Sequence, residues 1–258
     1  MSELADLLAL AEAAARQAGE ELRKHRAEWS GVTADLGREL KVEADKKAEA
    51  LILATLAAHG DIPVLSEEAG WDDAAIKVKE KHRKKARFWA VDPLDGSANY
   101  IQGYPHCAVS IALMDEGRPI LGVVDCFLLG ERFTGIVDQG AWLNGAPITV
   151  SSEADPARGI LNTGVPAAMR DDAKAMKRMA RRLMEWRKVR MLGSAAAALA
   201  YVAAGRAEAY SESGAMLWDV AAGCALVEAA GGVVRIEGER LEGPLDVAAT
   251  NGKAPSPD

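Results

Sequence analysis

The chain has 258 residues, 49% of them apolar and 27% charged, with a formal net charge of -7. That length allows one large domain or two small ones around a sizeable core, and the composition is that of an ordinary soluble globular protein. The acidic balance gives no electrostatic case for a nucleic-acid or membrane partner, while carboxylates in excess suit a site that collects cations.

In chain order, the opening "MSELADLLALAEAAARQAGEELRKHR" places Leu4, Leu7, Leu8, Ala11, Ala15, Ala18 and Leu22 at helical spacing. It lacks a basic start and a small-residue cleavage site, so it reads as an amphipathic helix and not as a signal peptide. A turn-prone stretch follows, then a second helix from about Ala44 with Ala48, Leu51, Ile52 and Leu56 on one face and a stop near Gly60. "IPVLSEEAG" is a short apolar run ending in Glu67 and Glu68. Residues 76–87 form a basic connector, expected as a solvated loop because no aromatics interleave it, and "FWAV" at 88–91 is the next strand.

From Cys107 the pattern turns to period two: "CAVSIALM", "PILGVVDCF", "RFTGIV" and "AWLNGAPITV" predict an antiparallel meander, with Asn144-Gly145 as a hairpin turn. Beyond residue 150 helix and strand alternate. "PAAMRDDAKAMKRMARRLMEW", "SAAAALAYVAAG" and "WDVAAGCALVEAAGG" predict helices, "AEAYSE" a strand and "VVRI" a final strand. Two parts are therefore expected, residues 1–150 with the meander and residues 151–258 of α/β type, with no flexible linker between them. The run from Ser194 to Gly205 is the longest apolar segment and is too short to span a bilayer. Cys107, Cys126 and Cys224 are far apart in apolar company, which speaks against a zinc site or a disulfide framework and for a reduced cytoplasm.

Four acids stand where apolar runs end or helices open: Glu68, Asp92, Asp95 and Asp219. Magnesium takes hard oxygen ligands and completes its shell with water and substrate phosphate, so several convergent carboxylates suit two such ions. Each acid has a bland alternative: Asp219 as an N-cap, the Glu67-Glu68 pair as a solvated loop, Asp95-Gly96 as a turn. "DGSAN" adds a phosphate seat if a helix starts near Ser97, because the free N–H groups of Gly96, Ser97 and Ala98 would face the ligand, and Gly96 permits close approach.

Taken together, "LSEEAG", "DPLDGSANY" and the distant "LWDVAAG" resemble the inositol monophosphatase family of magnesium-dependent, lithium-inhibited phosphatases, and the likeness spans nearly the whole chain. The resemblance implies an αβαβα layered sandwich of the inositol monophosphatase and fructose-1,6-bisphosphatase type, and commonly a homodimer. It implies one magnesium on Glu68, Asp92 and the carbonyl of Leu94, a second on Asp92, Asp95 and Asp219, and a weak third near Glu68. Asp45 and the Ser97 hydroxyl would orient the attacking water, with serine where many members carry threonine. Gly193, Ser194 and Ala195 match a segment that contacts the substrate ring, and Glu212 matches an acid that accepts inositol hydroxyls. Glu43 stands where relatives often have a small hydroxyl residue.

The resemblance implies a phosphomonoesterase for a small phosphate ester, with myo-inositol 1-phosphate as first substrate. Fructose 1,6-bisphosphate, 3'-phosphoadenosine 5'-phosphate and histidinol phosphate are the alternatives within the superfamily, and a catalytically silent metal-binding regulator is the alternative outside it. His25, His59, His82 and His106 follow no ligand spacing, and only His106, after Pro105, has a place at a site rim.

Overall fold

The computed structural model describes residues 3–35, 40–58, 60–71, 86–165, 172–238 and 243–257. The basic connector, apart from residues 86–87, lies outside them, as do His59 and His82.

Two sheets carry the architecture. The larger has eight strands in the order β10-β9-β8-β7-β6-β5-β3-β4. These are β3 (Val64–Ser66), β4 (Gly70–Trp71), β5 (Phe88–Asp95), β6 (Ala108–Asp115), β7 (Arg118–Cys126), β8 (Glu131–Ile136), β9 (Gly140–Leu143) and β10 (Ala146–Ile148). From β5 to β10 it is the antiparallel meander, and Asn144 and Gly145 both have positive φ in the last hairpin, as a tight two-residue turn requires. A short antiparallel pair, β1 (Val32–Asp35) with β2 (Leu40–Val42), precedes it.

The smaller sheet has the order β12-β11-β13-β15-β14, from β11 (Ile160–Thr163), β12 (Lys188–Arg190), β13 (Ala209–Ala215), β14 (Val233–Gly238) and β15 (Leu245–Thr250). "VVRI" is thus not the final strand. β15 follows it and lies between β13 and β14 at antiparallel register. Its sequence "LDVAAT" is short and alanine-rich, so neither alternation nor β-branching marks it strongly.

Helices fill the remaining layers. α1 (Glu3–Lys24) and α3 (Glu43–Ala57) cover the outer face of the large sheet, where Ala11, Ala14, Ala15 and Ala18 pack with Ile52, Trp89, Val91 and Val123; the one-turn α2 (Arg26–Trp29) links them. α6 (Ala195–Ala203) and α7 (Leu217–Ala229) lie between the sheets in one apolar core that joins Phe88, Ala90 and Val124 to Tyr210, Val247 and Ala249. α5 (Ala173–Leu183) lies over the far face of the small sheet. The result is the αβαβα sandwich.

The central layer is thin because its residues are small. A Cβ at Gly122 of β7 would lie 2.3 Å from the Ala222 carbonyl oxygen, and one at Gly223 would lie 2.4 Å from Leu199 Cβ. "FWAV" is an unbroken apolar run because both faces of β5 are covered, Trp89 and Val91 by the outer helices and Phe88 and Ala90 by the inner layer. The strand does not stop at Val91 but continues through Asp95. Asp92 pairs with Ser110 and Asp95 with Ala108, and an irregularity between them absorbs Pro93, which has no N–H to offer a ladder.

Among the described residues no helix is long and apolar enough to cross a membrane. All three cysteines are free and buried.

Candidate active site

The end of β5 sets the frame. Asp92 is 2% exposed, and its Oδ1 accepts the N–H of Leu94 at 2.9 Å, which folds the chain back over Pro93. The next helix, α4 (Ser97–Gln102), has one and a half turns and is preceded by Gly96 at φ 83°, a left-handed conformation that disfavours a side chain. A Cβ there would also stand 2.9 Å from the His106 carbonyl oxygen and 3.0 Å from that of Gly193.

Asn99 ties this turn to the second sheet's side of the molecule. Its Nδ2 lies 2.6 Å from the His106 carbonyl oxygen and 2.7 Å from that of Leu192, and donates to both. That contact fixes the loop leading into Ser194, the N-cap of α6, whose Oγ accepts from the Ala197 N–H and donates to Asp95 Oδ2 at 2.5 Å. The Ala196 N–H reaches the same oxygen at 2.8 Å. The Ser194 side chain is therefore buried on Asp95, while Gly193 is exposed and Ala195 half-buried. Of the three residues matched to substrate contact, Ser194 holds an acid in place.

Asp219 is not an N-cap. It is the third residue of α7, where its Oδ2 accepts the N–H of Met216, the residue that caps the helix. Ser110 of β6 donates to the carbonyl of neighbouring Trp218 at 3.1 Å, which anchors the start of α7 beside Asp92's strand partner.

In the acid pair after β3, Glu67 is hydrogen-bonded to the Asp92 carboxyl, and it also acts electrostatically on Asp95 and Asp219. The N–H of Glu67 donates to the Val91 carbonyl at 3.1 Å, continuing the parallel β3–β5 pairing by one residue and carrying its side chain to the end of β5. Sequence reasoning also passed over Glu49 of α3. This buried carboxylate takes the Ser66 hydroxyl and the Ala69 N–H (3.0 Å) on one oxygen, so it pins both ends of the turn that carries Glu67. Its one signal in the sequence was a position four residues after Asp45, on the same face of α3.

Ser97 Oγ lies 3.2 Å from Asp45 Oδ1 and 3.0 Å from the Leu94 carbonyl oxygen, so its single proton has two acceptors. Asp45 is itself buried at the start of α3. Glu212 comes from β13, where its Oε2 accepts the Tyr210 hydroxyl at 2.9 Å. Glu43 is an exposed partner of Lys47, His25 stacks on Trp29, and the His106 ring meets Tyr201 edge-on.

These carboxyls raise one another. Burial, then Glu67, Asp95 and Asp219, holds Asp92 well above the usual carboxylate range. Burial pushes Asp95 to about 7 against the Ser194 and Ala196 donors, with Glu212 and Glu67 adding to the rise. Burial and then Asp95 hold Asp219 well above its ordinary value, and burial raises Glu212. No lysine or arginine figures among the principal influences on Asp92, Asp95 or Asp219. Among the described residues no three acidic, His or Cys side chains stand together as a closed metal-binding group. The acids converge, but Glu67 and Asp92 hydrogen-bond each other and backbone donors hold one oxygen of each aspartate. The set still fits hard cations: its donors are all oxygen, and positive charge would relieve the mutual repulsion.

A family model described as the inositol monophosphatase family matches residues 3–257. The chain belongs to that family. It is 37% identical over 236 residues to an inositol monophosphatase of Mesembryanthemum crystallinum, covering 90% of this chain and 85% of the relative. It is 40% identical over 225 residues to the Nus factor SuhB of Xylella fastidiosa, covering 86% and 78%. The solved inositol monophosphatase of Anabaena superposes with a TM-score of 0.81 at 34% identity, covering 98% of this chain and 93% of that one. Fold and family therefore agree with the reading of the three motifs. Within the family frame, Asp92, Asp95 and Glu67 come from the large sheet and Asp219 from the helix layer between the sheets.

Proposed function

We propose that this protein is a magnesium-dependent phosphomonoesterase acting on a small polyol phosphate, with myo-inositol 1-phosphate as the first substrate to test. The observation that carries the reading is the convergence of Glu67, Asp92, Asp95 and Asp219 beside the Ser97–Asp45 pair. A metal-binding regulator would need such carboxylates as well, but not a Ser97 hydroxyl held by Asp45 beside them to orient a water.

In this reading Glu67 takes the part expected of Glu68. Glu67, Asp92 and the Leu94 carbonyl would hold one cation; Asp92, Asp95 and Asp219 a second; a third would be weak. Bound magnesium supplies positive charge that neutralises the phosphoryl group and lowers the pKa of the attacking water. The chain's own residues do the positioning. A Ser97 hydroxyl donating to Asp45 would leave its oxygen free to accept from the water and aim it at phosphorus, while the Leu94 carbonyl would be available to a cation. The backbone at Gly96 and Ser97 would seat the phosphate, while Glu212 would accept hydroxyls of the alcohol, with Gly193 and Ala195 beside it. A homodimer, lithium sensitivity and a cytoplasmic setting belong to the same reading.

The test is phosphate release by the purified protein, with magnesium or with EDTA, from inositol 1-phosphate, fructose 1,6-bisphosphate, 3'-phosphoadenosine 5'-phosphate and histidinol phosphate. Magnesium-dependent release supports the chemistry, and the preferred alcohol names the substrate. Silence on all four moves the reading to a binding role.

A further inference from the structure

The acidic net charge of the chain conceals a basic face. Residues 173–190 carry eight lysines and arginines against one acid, Glu185, a local net of +7, so the rest of a chain of net -7 sums to -14. Five of the eight stand on α5, where Lys174, Lys177, Arg178 and Arg181 are exposed and Arg182 is half-buried. At about 100° per residue these five fall within an arc of about 140° on the helix. Met179, which is buried, and Leu183, which packs with Leu161 and Trp186, lie on the other side and fix the basic arc outward. Arg187, Lys188 and Arg190 continue the exposed charge into β12, the strand at the edge of the small sheet.

Nothing inside the molecule balances this stripe. Lys174 with Arg178, Lys177 with Arg181 and Arg178 with Arg182 are like charges one helical turn apart, and each pair opposes the helix. Among the described residues none of the five has an acid partner, whereas Arg87, Arg118, Arg132, Arg158 and Arg206 are each paired. A polyanion laid along α5 would relieve that repulsion. The five charges occupy about 12 Å of helix axis, a mean spacing of about 3 Å, close to the one phosphate per roughly 3.4 Å of each strand of duplex DNA. No apolar side chain interrupts the stripe, and the exposed Met184 lies past its end. The apolar side that would enter a bilayer is already buried on the sheet. Trp186 is the one aromatic residue between 173 and 200, and it is buried, so no ring is offered to unpaired bases. With its other side packed, α5 cannot enter a groove, which restricts its contacts to backbone phosphates.

We propose that the outward face of α5 docks the phosphate backbone of double-stranded DNA, without preference for base sequence and with the acidic remainder of the chain turned away. The proposal goes beyond the phosphatase reading and does not depend on it, since none of the five cations is a candidate ligand or catalytic group.

Fluorescence anisotropy of a labelled DNA duplex two helical turns long tests it, with EDTA present so that no cation on the acid cluster can bridge to a phosphate. Wild type is expected to bind, with log K falling against log salt at a slope of about -4 to -5 between about 50 and 200 mM, as five neutralised phosphates require. K177Q/R181Q should reduce that slope by about two and weaken binding at least about tenfold at the low-salt end. R16Q/K24Q removes the same charge from exposed positions on α1 and should leave the slope unchanged. No binding at low salt, a slope that K177Q/R181Q leaves unchanged, or an equal loss in R16Q/K24Q overturns the surface. Tighter binding of the matching single strand, of duplex RNA, of polyglutamate or of anionic vesicles overturns the choice of DNA as its occupant. Thermal melting of K177Q/R181Q is followed alongside, and a loss of binding counts only with a native melting transition; K177E/R181E, which reverses the charge at the same exposed positions, should abolish binding, and binding that survives in it also overturns the proposal.

Discussion

The Ser194 hydroxyl donates to Asp95 Oδ2 at 2.5 Å while accepting from the N–H of Ala197, so one side chain both caps α6 and orients an acid from the opposite sheet. The two tasks separate in experiment. Ser194→Ala removes the cap, which costs about 1 kcal/mol of stability in urea unfolding. It also frees Asp95 to rotate, and magnesium affinity is expected to fall about tenfold. Ser194→Gly keeps most of the helix start but not the hydroxyl, so it should recover stability without recovering magnesium affinity; recovery of both would show that Ser194 is only a cap.

The neighbouring glutamates should differ sharply. Glu67→Gln is expected to weaken magnesium binding on the order of 10–100-fold, and Glu68→Gln to change it less than about twofold. Asp92→Asn, at the centre of the cluster, should lower turnover about 100-fold or more at saturating magnesium. Near-normal turnover in Asp92→Asn, or a larger loss in Glu68→Gln than in Glu67→Gln, would overturn the ligand assignment.

Glu49 acts through the turn it pins and not through a cation. Glu49→Ala strips the acceptor from the Ser66 hydroxyl and the Ala69 N–H and is expected to cost about 1–3 kcal/mol, with weaker magnesium binding. Glu49→Gln keeps an acceptor oxygen in place and should restore magnesium affinity. A Gln variant as impaired as the Ala variant would mean that the charge itself matters.

The raised carboxyls make metal-free stability depend on pH. Asp95 titrates at about 7 in the folded protein, and Asp92 and Asp219 are also held above the unfolded range, so the native state keeps protons that the unfolded chain has already lost above about pH 4. Stability in EDTA is therefore greatest on the acid side of this window and falls as pH rises through 7. Magnesium, which competes with those protons, should bind more tightly over the same rise and flatten the melting-temperature profile. A smaller fall near pH 6 belongs to Asp125, raised to about 6 because its burial outweighs Arg132, and Asp125→Asn should remove that part alone. A flat profile in EDTA would show that neither burial nor mutual repulsion raises these carboxyls in solution.

Much of this was legible in the chain itself. The meander, the hairpin at Asn144-Gly145, the alanine-rich helices and the acids at 92, 95 and 219 follow from local rules, because period, turn chemistry and motif spacing are written in consecutive residues. Strand β15 was not legible, since "LDVAAT" is read as a strand only once β13 and β14 stand on either side of it. The choice between Glu67 and Glu68 was not legible either. Adjacent residues near a strand end point to opposite sides, and only the pairing of Glu67 with Val91 sets which carboxylate meets Asp92. Glu49, Asn99 and Ser194 came forward for the same reason: each has a partner that lies 17 to 99 residues away along the chain.

By itself, then, the sequence determined most of the element types, the family and the candidate acids at 92, 95 and 219, because each is a property of neighbouring residues. Only the tertiary structure decided which glutamate joins the cluster and what holds Asp95, because those are distances between parts of the chain that meet only when it folds.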